Sequence, residues 1–369
     1  MNYSTLAGKE QPLAAADRSP ETDLELWQTV PSYIIEPSMM FAYPTYLSNV
    51  YRSAIEHIYL PKIDEPSLDV RVKVVTGYTQ ARLANSLKQK IYCNLPKAIH
   101  NPEPLDHANQ FIFDTRYDLD HHIGHLIDNV LTPLLFARKV LSEHFNQDIQ
   151  ISAVLRKNTS NLSRQVYHTL GINIICTDDQ VYGDVVTVHA EHPIANARQE
   201  IFNIEFKDYK PDTPERVFIS RRGNRSLINN DAVEAFLKQK GFTTYYFEDL
   251  TPSEEWSIVR NAKVIVAVHG AACSNFIFNQ SGIKSLDRPG SGIRLLEIFS
   301  PAFVLPGYRN TAHFTNGKWC AVRGQITPET LKELDFSNKP RSTVKAPIKN
   351  PFRVDLESLQ LALDYLEVE

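Results

Sequence analysis

Residues 263–275 read KVIVAVHGAACSN. The run from Val264 to Val268 is apolar throughout, as in a short strand buried on both faces. It leads directly into His269-Gly270 and then into Ala271, Ala272, Cys273, Ser274 and Asn275, small residues that open a helix. A strand, a tight turn and a helix in that order form the β-α unit of a parallel sheet. Small side chains let backbone approach a ligand closely, and the first N–H groups of the helix offer an anion partial positive charge. His269 can add a hydrogen bond to a phosphate or to a leaving oxygen. The plain alternative is a strand–helix turn whose small residues serve packing. The turn is neither a Walker loop nor a Gly-rich dinucleotide fingerprint, so it selects neither ATP nor NAD.

The neighbouring segments repeat the unit. RVFIS (216–220) is a strand, and NNDAVEAFLKQK (229–240) is a helix capped by Asn230, with Asp231 in its first turn and Gly241 at its end. TTYYFE (243–248) is a strand. TPSEEWSIVRNA (251–262) is a helix with Thr251 and Glu254 spaced as a capping box and Pro252 at the first position. IRLLEIFSP (293–301) is the next strand. Residues 216–301 therefore read as a doubly wound parallel sheet, which binds ligands at the carboxyl ends of its strands. Ser220, Arg221 and Arg222 lie at such an end, where a guanidinium fork matches phosphate oxygens. A surface Arg pair is the alternative. Glu297 is a carboxylate in an apolar strand, costly unless paired or used. A ribose diol is one suitable partner, and a solvent-facing strand edge is the other explanation.

Upstream, VRVKVVTGY (70–78), QFIFDT (110–115), IQISAVL (149–155) and INIICT (172–177) read as strands. Residues 161–171 form a helix, and residues 123–145 a longer one that Pro133 kinks or splits near Thr132. This alternation implies a second parallel sheet. Residues 28–66 are aromatic- and Pro-rich and read as an irregular lead-in on the first domain. DYKPDTPE (208–215) is the linker candidate, and residues 354–369 form a Leu-faced helix. The resulting division is a flexible tail at 1–27, a first domain at 28–207, a second at 208–349 and a terminal helix at 350–369.

The stretch DHHIGHLIDN (120–129) places His121 and His125 four apart, but Gly124 and the helix start between them argue against a rigid metal site. His125 and Asp128 at the helix start are candidates for acid–base work. A capped helix with surface histidines is the alternative.

Composition narrows the class. A net charge of -4 and a pI near 6.3 leave no basic footprint for nucleic acid. Cys93, Cys176, Cys273 and Cys320 include no CxxC pair, which suits reduced thiols in a cytoplasmic protein. No apolar run approaches the ~18 residues of a membrane span. The first 27 residues carry scattered charge and no apolar signal core.

Taken in order, the I-S-R after the strand at 216, the N-N-D helix start, Glu254-Glu255-Trp256, the A-K-V-I-V-A-V-H-G-A turn, Asn275, Phe278 and L-L-E-I resemble glycosyltransferase family 61. A weaker match is Ile123-Gly124-His125-Leu126-x-Asp128. After His-Gly-Ala the family usually continues Gly-Leu-Thr/Ser-Asn, and here Ala272 and Cys273 stand instead. The family includes plant xylosyl- and arabinosyltransferases, animal O-linked N-acetylglucosaminyltransferases and bacterial capsule and exopolysaccharide enzymes. The resemblance implies an α/β, GT-B fold: two Rossmann-like, doubly wound domains facing a cleft, with the final helix crossing back to the first. It implies an inverting transfer from a nucleotide sugar, usually UDP-linked, to a glycan or polysaccharide-precursor hydroxyl, with no cofactor and no essential metal. Arg221 and Arg222 would then bind diphosphate beside Ser220, His269, Gly270, Ala271 and Ala272. Ser274 and Asn275 would cap it, and Glu297 would hold the ribose. His125 or Asp128 would deprotonate the acceptor. A bacterial cytoplasmic enzyme touching the membrane that carries lipid-linked acceptors is the expected setting. Two rivals are a catalytically silent module of the same fold that binds a glycan or partner, and a pyruvyltransferase-like enzyme using phosphoenolpyruvate.

Overall fold

The computed structural model describes residues 23–43, 55–79, 105–116, 122–190, 202–280, 292–327 and 349–368. Its second sheet carries the decisive stretch. The order is β12 (Thr243–Tyr246), β11 (Arg216–Ser220), β13 (Val264–Val268), β14 (Arg294–Phe299), β15 (Lys318–Arg323), β3 (Ser38–Ala42) and β4 (Glu56–Leu60). Pairing is parallel from β12 to β3, and β4 closes the edge antiparallel. One face packs Val233 and Leu237 of the helix Asn230–Gln239, together with Leu359, Ala362 and Leu363 of the helix Leu356–Tyr365. The other packs Ile258 and Val259 of the helix Pro252–Asn261, with Cys273 and Phe276 behind the His-Gly turn. Helices on both faces bury the sheet's central strands, so those strands are continuously apolar.

Two expectations fail here. The lead-in is not irregular and does not belong wholly to the first domain: β3 pairs with β15 in the second sheet, with Met39 opposite Cys320 and Ala42 opposite Arg323. SMMFA is too short and too evenly apolar to show a period, which hid the strand. The terminal helix does not cross back to the first domain. Its apolar face lies on the second sheet, against a cluster that includes Phe41 and Val322. The chain's clasp thus runs the other way, from the N-terminal segment into the second sheet.

The first sheet runs β1 (Leu24–Val30), β6 (Leu68–Tyr78), β10 (Val181–His189), β7 (Leu105–Asp114), β8 (Ile151–Leu155) and β9 (Ile174–Cys176). The β10-β7-β8-β9 half is parallel, as in a Rossmann-like domain, but β6 is antiparallel to both β1 and β10. The sheet is therefore mixed rather than parallel. The alternation in β6, with Val70, Val72 and Val74 buried between more exposed residues, is the mark of antiparallel pairing. β1 also removes residues 24–27 from the expected flexible tail. A two-stranded ribbon, β2 (Tyr33–Ile35) with β5 (Ile63–Glu65), lies outside both sheets. Arg309 pins it by donating to the carbonyls of Glu36 and Pro61.

The helix expected at 123–145 is split. Ile123–His125 is α-helical, Leu126–Leu131 is a π-helical stretch, and Thr132–Phe145 resumes the α-helix with Pro133 in its first turn. Proline supplies no N–H and blocks the carbonyl four residues back, so the ladder widens before it. Thr132 bridges the break: its backbone N–H and its Oγ1 both donate to Ile127 O, the latter at 2.8 Å.

The two halves share an apolar seam. Trp256, Ile277 and Phe278 of the second half join the core formed by Leu126, Leu134 and Val166 of the first. Trp256 and Phe278 stack with centroids 4.2 Å apart. Among the described residues no helix is long and apolar enough to cross a membrane.

Candidate functional site

The carboxyl ends of β11, β13 and β14 converge as the parallel register requires. Arg221 follows β11, and its Nη1 donates to the His269 carbonyl at 3.0 Å. The guanidinium lies on Gly270, where an added Cβ would run into Arg221 Nη1. Glycine is needed here for space rather than for backbone angle. Arg221 Nε is buried with no hydrogen-bond partner among the described residues.

Arg225 stands beside Arg221 in a left-handed conformation at φ 60°. Its guanidinium lies over the Phe303 ring at 4.9 Å. Burial first, and then the Arg221 charge, hold its pKa below the usual guanidinium value. Neither arginine pairs with a carboxylate among the described residues. Two adjacent, partly buried cations of this kind suit a ligand that carries negative charge on several oxygens.

His269 is buried, 5% exposed, and its Nδ1 lies 2.8 Å from Glu297 Oε1. Trp319 Nε1 donates to Glu297 Oε2 at 2.7 Å. Glu297 is therefore not a ribose ligand. It is fully buried, and both oxygens are engaged inside the sheet. Its cost is met by two donors, and its effect is to fix the imidazole with Nδ1–H toward the carboxylate and Nε2 as the remaining polar atom.

Several other expected ligands are also turned inward. Ser220 donates to Asn230 Oδ1 at 2.6 Å, within a network that continues to Glu234 and Tyr246. Asn230 is thus not the cap of its helix; Asn229 holds that position. Arg222 grips Asp249 at 2.7 Å and lies over the Tyr246 ring at 4.1 Å, an ion pair that raises its pKa. It is not available to a diphosphate in the way Arg221 is. Asn275 is buried, accepting from Trp256 Nε1 at 3.0 Å and donating to Glu255 Oε2 at 2.5 Å. It fixes the 3-10 segment Ala271–Phe278 to the helix Pro252–Asn261 rather than capping an anion. Ala271 and Ala272 start that segment and are half-buried.

Ser274 reaches the other half of the molecule. Its Oγ lies 2.8 Å from the Tyr308 hydroxyl and donates to Asp128 Oδ2 at 3.3 Å. Gly124 lies against the same hydroxyl: a Cβ there would sit 3.1 Å from Ser274 Oγ. The helix start expected to face the turn across a cleft in fact touches it. His125 is half-buried, with Asn129 Nδ2 3.0 Å from its Nδ1. An amide nitrogen only donates, so Nδ1 accepts and the ring proton of neutral His125 is on Nε2. His121 and Asp120 lie outside the described residues.

Arg225, Phe303, Tyr308 and Trp319 were not singled out from the sequence. Arg225 had a signal, a third arginine four residues beyond Arg221 in SRRGNRS. The aromatic residues had none, because each acts through a contact made between distant segments.

Residues 123–286 match the family model described as Glycosyltransferase 61. The match starts at the helix bearing His125 and Asp128 and spans Arg221 and the His-Gly turn. This stretch is a glycosyltransferase family 61 domain, and the protein is a glycosyltransferase acting on a sugar donor and an acceptor. A comparison with curated proteins finds no match.

Proposed function

We propose that the protein is an inverting, metal-independent glycosyltransferase of GT-B architecture that transfers a sugar from a UDP-sugar to a hydroxyl of a glycan or polysaccharide precursor. The pair of partly buried arginines, Arg221 and Arg225, with no carboxylate partner among the described residues, carries this reading, since it suits a diphosphate better than any neutral ligand. Arg221 and Arg225 hold the diphosphate. In its doubly protonated form His269, held through Nδ1–H by Glu297, donates from Nε2 to the leaving oxygen, with the backbone of Gly270, Ala271 and Ala272 alongside.

Asp128 is the base. His125 Nε2 carries a proton in its neutral form and so serves as a donor to the acceptor. Asp128 takes the acceptor's proton as the acceptor oxygen bonds to the anomeric carbon. The bond from that carbon to the diphosphate breaks on the opposite face, which inverts the centre. A cytoplasmic site beside a membrane bearing lipid-linked acceptors suits such a transfer.

UDP release from a panel of UDP-sugars tests this function. Wild-type protein turns over at least one of them, and Asp128→Asn lowers kcat by about a hundredfold or more, the scale of a lost general base. No UDP release from any nucleotide sugar sinks the function and favours a silent binding module. Undiminished turnover by Asp128→Asn removes Asp128 from the base role.

A further inference from the structure

A hydrogen-bonded chain crosses the seam between the halves. Tyr308 opens the helix Tyr308–Phe314, Ser274 belongs to the 3-10 segment after the His-Gly turn, and Asp128 lies in the π-helical stretch. The links are 2.8 Å from Tyr308 to Ser274 and 3.3 Å from Ser274 to Asp128. The direction of the chain follows from proton count. An ionised carboxylate only accepts, so the single proton of Ser274 points at Asp128. Tyr308 must then donate to the lone pair of Ser274. Burial above all, and then its neighbours Cys273 and Asp128, push the Tyr308 phenol well above its ordinary pKa, so it stays a donor.

We propose that Tyr308 is a positioning residue for the transfer: its hydroxyl orients Ser274, whose hydroxyl in turn aims the Asp128 carboxylate. The inference rests on Asp128 being the base. It adds that the base of one half is oriented by two residues of the other. The contact surface makes such an arrangement specific. Gly124, on the turn before Asp128, leaves the space that the Ser274 hydroxyl occupies. The Tyr308 ring is itself held by Phe276 at 6.0 Å and His269 at 5.8 Å, so the same ring borders both the leaving-group histidine and the chain to the base.

Tyr308→Phe keeps those ring contacts and deletes only the hydroxyl. The experiment compares full-length wild type, Tyr308→Phe, Ser274→Ala and the double variant. It reads kcat and KM by UDP release from the UDP-sugar that wild type uses, and Kd for UDP by calorimetry. Tyr308→Phe lowers kcat roughly tenfold, the scale of one lost hydrogen bond feeding a charged group, while KM and the UDP Kd stay within about twofold. Ser274→Ala lowers kcat at least as much. The double variant is no slower than Ser274→Ala, because residues acting in series are not additive.

A purely structural tyrosine predicts a different pattern, in which UDP binding weakens along with kcat and the two substitutions multiply. Either that pattern or a kcat of Tyr308→Phe within about twofold of wild type overturns the inference while leaving the function standing. If wild type itself releases no UDP, the function fails and this inference falls with it.

Discussion

Gly124 in the first half and Gly270 in the second differ in what they make room for. At Gly270 an added Cβ would run into Arg221 Nη1, part of a cation with one nitrogen on the His269 carbonyl and another buried without a hydrogen-bond partner among the described residues. At Gly124 it would press on the Ser274 hydroxyl at 3.1 Å and touch the His122 ring at 3.4 Å. The first glycine is shaped around a side chain that is incomplete on its own, and the second around a contact that is already satisfied. The difference separates the proposed binding role of one turn from the proposed positioning role of the other.

Substituting each glycine tests this difference. Gly270→Ala displaces a flexible guanidinium, so it costs little stability. It weakens UDP binding by about tenfold or more, the worth of a charge-assisted contact. Gly124→Ala shifts Ser274 by a few tenths of an ångström. It leaves the UDP Kd near wild type and lowers kcat a few-fold, on the order of 1 kcal/mol in the barrier. Calorimetry and UDP-release kinetics on the two variants check both. Equal effects on binding would collapse the distinction.

A smaller effect concerns the support behind the donor turn. Burial, opposed by the Asn275 hydrogen bond and reinforced by Glu248, pushes the Glu255 carboxyl up to about 8 from its ordinary 4.5. Between these values the folded protein retains a proton that the unfolded chain releases. Folding stability therefore falls as pH rises through that window and is lowest above it. Glu255→Gln keeps an acceptor for Asn275 and removes the slope, so its Tm changes less than wild type across the window. Parallel melting curves for the two proteins would reject this account.

The smallest effect is at the start of the same helix, where Thr251 and Glu254 form a capping box, Thr251 N donating to Glu254 Oε2 at 3.0 Å. Thr251→Ala should cost about 1 kcal/mol in denaturant unfolding and leave UDP binding unchanged.

The second sheet and its turns were legible in the sequence because each signal was local. The apolar run 264–268, the capping box at Thr251 and Glu254, and Arg221 at a strand end all lie within a few residues of what they specify. What was misjudged depends on partners far along the chain. Glu297 looked like a ligand because its partners, His269 and Trp319, lie 28 and 22 residues away. Asn275 looked like an anion cap because Glu255 and Trp256 belong to another helix. β3 looked like lead-in because its partner β15 lies at the other end of the chain. A polar residue in an apolar run signals that it is paired or used, and only the fold decides which.

In the proposed function Arg221, with Arg225, forms the diphosphate site. Calorimetry of UDP binding to wild type and Arg221→Ala tests this assignment. Wild type should bind UDP, and Arg221→Ala should bind it at least about tenfold more weakly, with a Tm close to wild type. If wild type binds neither UDP nor GDP, or if Arg221→Ala binds UDP as tightly as wild type, the site has been misassigned.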